Sequence, residues 1–135
     1  MTIFLDTDTL SYFLSGNTAI HDKMLAAIKN GDQICLTCIN VYEIIKGLKY
    51  KSDQNKEQNF NAFLENIFVF SLDDAAIQKA ADIYTDLRKK GMNIGDADIL
   101  IAAIVITNSG KLITNNIKHY QNIDDLTMEN WHSNI

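Results

Sequence analysis

The chain has 135 residues, of which 47% are hydrophobic and 21% charged. That balance excludes a disordered chain and suffices for one domain, residues 1–135, with its own core. The net charge of −5, seventeen acids against twelve bases, excludes a protein that grips nucleic acid by bulk positive charge, though not an enzyme that meets phosphate through a bound cation.

Thr2 to Leu5 reads as a short buried strand that stops at Asp6. The apolar start has no basic region before it, so it does not read as a secretory signal. Thr7 is the expected N-cap of a helix through Leu14, closed by Ser15-Gly16-Asn17. A second helix is predicted from Thr18 to Asn30, with Ile20, Met24, Ala27 and Ile28 on one stripe. After the Gly31-Asp32 turn, Gln33 to Thr37 reads as a second strand. Cys35 and Cys38 form a single CxxC with no second pair to complete a zinc site, and they read as free thiols of a reducing cytoplasm.

A third helix is predicted over Asn40–Tyr50, with Val41, Ile44, Ile45 and Leu48 facing inward. The polar Lys51–Gln58 stretch leads into a fourth helix through Asn66, with Phe60, Phe63, Leu64 and Ile67 inward. Phe68–Ser71 is a third strand, and Asp73–Lys90 a long amphipathic helix terminated by Gly91. Ile94–Ile106 then reads IGDADILIAAIVI. From Ile99 onward it is apolar on all sides, as in a helix buried all round. This run is far short of the roughly 20 residues that span a bilayer, so no membrane is expected. Lys111–Thr114 is a fourth strand and Leu126–Met128 a short fifth. Strands alternating with helices predict an α/β fold: three layers, α/β/α, around a mainly parallel sheet of four to five strands.

In such sheets the site lies beyond the carboxyl ends of the strands, which selects Asp6, Thr37–Glu43 and Thr114–Asn116. Asp98 enters the buried helix on the side of Ile101, Ala102 and Val105. A carboxylate led into a core must be paired, hydrogen-bonded or metal-bound. Asp96 lies about 200° away around the helix and reads as its N-cap. Glu43 sits nearly opposite its helix's apolar stripe, a solvent position by default, on a face shared with Gly47 and Tyr50. Joined with Asp6 and Asp98, it forms a set of converging acids that repel one another and so favour a hard cation. Such an ion can activate water against a phosphodiester.

Four segments in order carry a resemblance: IFLDTDTLSYFL at Ile3–Leu14, INVYEIIKGL at Ile39–Leu48, IGDADILIAA at Ile94–Ala103 and LITNNIKHY at Leu112–Tyr120, with MENW at Met128–Trp131. Together they resemble PIN-domain ribonucleases of the VapC toxin type. The resemblance implies RNA cleavage with Mg²⁺ or Mn²⁺ held by Asp6, Glu43 and Asp98. The variable fourth position falls on Asn116, with His119 where some relatives carry an acid. Asp8 stands in place of the commoner Asn, and Thr114 is placed to hydrogen-bond a carboxylate or water. A cognate VapB-type antitoxin and a homodimer are implied as partners. Leu10, Tyr12, Phe13, Leu14 and Tyr50 are candidates for the docking surface.

Two rival readings stand beside this one. Asp6-Thr7-Asp8 also fits the start of a haloacid-dehalogenase-like phosphatase, in which Asp6 would be a covalent nucleophile. A non-catalytic binding module on the same scaffold is the other, because fold does not ensure activity. Lys46 is the basic residue best placed for an RNA contact, within a run that otherwise reads as a solvated face.

Overall fold

The computed structural model describes residues 1–132. The last part of the domain reading, 133–135, lies outside the described residues. Five short strands form one sheet: β1 Thr2–Leu5, β2 Gln33–Thr37, β3 Phe68–Phe70, β4 Lys111–Ile113 and β5 Thr127–Glu129. Their order is β3-β2-β1-β4-β5, with every pair parallel. The N-terminal strand is therefore central. Ile3 pairs with Ile34 on one side and with Lys111 on the other. The chain builds outward from β1 in one direction, then crosses to build outward in the other. That reversal opens a crevice beyond the carboxyl end of β1.

Among the described residues seven helices cover the sheet: α1 Thr7–Leu14, α2 Thr18–Lys29, α3 Cys38–Tyr50, α4 Gln54–Leu64, α5 Asp74–Lys89, α6 Asp96–Thr107 and α7 Ile117–Tyr120. Side-chain alternation along the strands divides the interior in two. Ile3, Leu5, Leu36 and Ile113 face α1–α4, meeting Leu10, Ile20, Met24 and Phe60. Phe4, Cys35 and Leu112 face the other way, against Ala76, Ala80, Ile83 and Leu87 of α5 and nearly the whole of α6. The result is the expected three-layer α/β/α sandwich. Among the described residues no helix is long and apolar enough to cross a membrane. Both cysteines are free.

Several boundaries differ from the sequence reading for local reasons. Asp6, not Thr7, caps α1, its carboxylate accepting from the Thr7 N–H. Thr37 caps α3 by accepting from the Asn40 N–H, so the helix begins two residues earlier than periodicity suggests. Gly95 is the N-cap of α6, without a side-chain cap bond, and Asp96 is the exposed first helical residue. Asp96 thus complements the helix dipole rather than capping. Ile28 is exposed rather than part of the buried stripe of α2.

Candidate active site

The crevice beyond β1 is lined by α1, α3, α6, α7 and the residue that follows β4. Asp6 comes first because β1 delivers it there. Its N–H still bonds the Ile113 carbonyl, carrying the sheet register one residue past the strand. Asp6 is 7% exposed. Thr114 Oγ1 donates to Asp6 Oδ2 at 2.8 Å. The Thr7 N–H donates to Oδ1 at 3.0 Å. Burial pushes the Asp6 pKa up; the Thr114 and Thr7 hydrogen bonds pull it down, and the charges of Asp98 and Asp8 add to the rise.

Asp98 arrives from the first turn of α6. Both of its oxygens are met by α7: Tyr120 Oη donates to Oδ1 at 3.0 Å, and His119 Nε2 lies 2.6 Å from Oδ2. The Tyr120 hydroxyl also lies 3.5 Å from Asp6 Oδ1, so one phenol stands between two carboxylates. Desolvation, then the charges of Asp6 and Asp98, push its pKa far above the ordinary tyrosine value, so it remains a proton donor.

Glu43 joins through a relay. Thr37 Oγ1 donates to Asn40 Oδ1 at 2.6 Å, and Asn40 Nδ2 donates to Thr7 Oγ1 at 3.0 Å. Thr7 Oγ1 in turn donates to Glu43 Oε1 at 2.6 Å. Freed from capping, Thr7 thereby links α1 to α3. Glu43 is half-buried rather than in solvent, although it lies off the apolar stripe. Asn40 is fully buried, and among the described residues no buried side-chain nitrogen or oxygen lacks a partner.

The remaining candidates lie further out. Asp8 is exposed on α1 and reaches Asp6 through its charge. Asn116 is exposed; its N–H donates to Thr114 Oγ1 at 3.0 Å, and its amide makes no hydrogen bond to the acids among the described residues. Lys46 is exposed and leans over the Tyr42 ring, 5.0 Å from its centroid. Gly47 is exposed with no protein atom near a Cβ position, so it accommodates no neighbouring backbone.

Sequence reasoning passed over Tyr120, Asn40 and Thr7. Tyr120 had one signal, since a tyrosine that buries its ring needs a partner for its hydroxyl. Asn40 lies within the segment singled out by the strand-end rule. Nothing in the sequence marks the Thr7 hydroxyl as a link between helices.

The donors are chemically suited to a hard cation, being carboxylate oxygens from three elements. As the side chains stand, each of the three carboxylates accepts at least one hydrogen bond, from Thr7, Thr114, His119 or Tyr120. Among the described residues no three His, Cys, Asp or Glu side chains are gathered as metal ligands.

Known proteins match this architecture over nearly the whole chain. The PIN domain family model matches residues 3–125. Ribonuclease VapC2 of Rickettsia felis is 27% identical over 97% of this chain and 98% of its own. Ribonuclease VapC of Rickettsia bellii is 33% identical over 74% of this chain and 78% of its own. The crystal structure of VapBC2 from Rickettsia felis, bound to a DNA fragment from their promoter, superposes with a TM-score of 0.90 at 26% identity, covering 97% of this chain and 99% of that one.

Proposed function

The chain belongs to the PIN-domain family, and from that membership we propose that it is a divalent-metal-dependent endoribonuclease of the VapC type, the toxin of a toxin–antitoxin pair. The observation that carries the site assignment is the meeting of Asp6 and Asp98 around one buried phenol at the end of the central strand. In this reading Asp6, Asp98 and Glu43 are the acids that would hold Mg²⁺ or Mn²⁺. The ion, when bound, would lower the pKa of a water and neutralise charge on the attacked phosphate.

The chain's own residues prepare that chemistry. Burial and the like charges of Asp98 and Asp8 raise the energy of the ionised Asp6, which gives a cation something to relieve. Thr114 and the Thr7 N–H fix the orientation of the Asp6 carboxylate. The Thr37–Asn40–Thr7 relay fixes Glu43 relative to α1. The chain's net charge is −5, so in this reading RNA would be met at the cation rather than on a basic surface.

A VapB-type antitoxin is the partner that this reading requires, and the Rickettsia felis structure contains VapB with VapC. On α1, Leu10 is buried and Phe13 half-buried, while Tyr12 and Leu14 are 45% and 41% exposed; Tyr50 on α3 is 91% exposed. Those exposed side chains are the docking candidates that remain. A homodimer and a cytoplasmic location complete the reading.

Defined RNAs and DNAs incubated with purified protein in Mg²⁺, Mn²⁺ or EDTA test it. RNA should be cut in either metal and left intact in EDTA. Asp98→Asn should lower the rate by at least about 100-fold, the upper end for loss of even an outer-sphere partner at a metal site. Asp96→Asn, at an exposed helix start, should leave the rate within about threefold, since the dipole contact is worth only ~0.3–1 kcal/mol of stability. Equal losses would mean that the wrong acid has been chosen.

A further inference from the structure

We propose that Tyr120 is a positioning residue whose hydroxyl proton stands between Asp6 and Asp98 and keeps the two carboxylates together when no cation is bound. The inference deepens the acid-site reading above and rests on it. Tyr120 is fully buried. Its hydroxyl has one proton, which goes to Asp98 Oδ1 at 3.0 Å, while Asp6 Oδ1 at 3.5 Å lies at the limit of hydrogen bonding. One O–H thus lies within reach of both carboxylates, and its proton can turn to either of them. The hydroxyl is carried by a fully buried ring that belongs to the same core cluster as Ile83, Leu87, Ile101 and Leu112.

The other oxygen of Asp98 is met by His119, so adjacent residues of one short helix engage both of its oxygens. Neighbouring donors do the same for Asp6 and Glu43. The acids are thus held by the protein's own protons, bonds that a bound cation would displace or supplement. Thr7 meets Asp6 through its N–H and Glu43 through its hydroxyl, whereas Tyr120 reaches Asp98 and Asp6 with a single hydroxyl. Its loss should be felt as charge repulsion, not only as a missing hydrogen bond.

Tyr120→Phe keeps the ring and removes only this oxygen. In EDTA it should lower the melting temperature by about 5 °C or more, the scale of a lost hydrogen bond to a charged group in a domain of this size. Repeating the change in an Asp98→Asn background removes one of the two charges, and the loss there should be less than half as large. Mn²⁺ should then raise the melting temperature of Tyr120→Phe by more than it raises that of the unaltered protein. The proposal is overturned if the loss in EDTA is the same in both backgrounds, which would describe ordinary packing, or if Tyr120→Phe costs nothing. A chain that gains no stability from Mn²⁺ in any variant would instead overturn the metal-site reading. The EDTA comparison would still decide the role of Tyr120.

Discussion

Ionising Asp6 in the folded protein places a charge at a nearly water-free position already facing Asp98 and Asp8. Its folded pKa therefore lies above its unfolded value. The sign follows from linkage: the neutral form favours folding, so this contribution is present below the unfolded pKa and lost as pH rises through the folded one. Asp6→Asn should melt higher than the unaltered protein at neutral pH in EDTA, and the gap should close as pH falls below the carboxylate range. Melting curves from about pH 3 to 8 check this, the span over which a perturbed carboxyl titrates. A gap that persists at the acid end would point to packing instead. At this scale Asp6 and Asp98 were legible as candidates, because carboxylates at a strand end and in an apolar helix stand out against their surroundings, whereas Glu43, off its helix's apolar stripe, did not. The phenol was not, because its partners lie 22 and 114 residues away and only the fold brings them together.

Among the elements, α6 was the most legible and α7 the least. A run apolar all round has one structural solution, and Ile101 to Val105 are fully buried. Four residues are too few to show any periodicity, yet α7 presents both His119 and Tyr120 to Asp98. The start of β4 carries a constraint that sequence shows only as a turn. A Cβ on Gly110 would stand 2.5 Å from Phe4 Cε2 and 3.2 Å from the Thr2 carbonyl oxygen. Phe4 is fully buried against Phe70, their ring centroids 4.9 Å apart, so it has little room to yield. Gly110→Ala should cost about 1–3 kcal/mol, the range for overpacking a dense core. Urea unfolding measures it, and a change under about 0.5 kcal/mol, the level of an ordinary surface substitution, would show that β1 and β4 can part without penalty.

For the whole molecule, the parallel sheet and its two covering layers followed from alternating strands and helices, whereas the strand order did not. Nothing in Thr2–Leu5 says that it lies at the centre. On the VapC reading, expression of the chain alone should slow growth, Asp6→Ala should relieve it, and the product of a small neighbouring gene should restore growth and co-purify. Harmless accumulation of intact protein, with no neighbour bound, would remove the toxin role and leave the PIN fold. The central position of β1 also has a consequence during synthesis. β1 leaves the ribosome ahead of both its neighbours, acquires β2 about 30 residues later, and waits for Lys111–Ile113 before its second edge is closed. Chains emerge at roughly 5–20 residues per second, N-terminus first, so Asp6 spends several seconds beside an open sheet edge, without Thr114 or Tyr120. The crevice is complete only after Tyr120 has emerged, and on the VapC reading that delay leaves time for a partner made alongside the chain to be waiting when it closes.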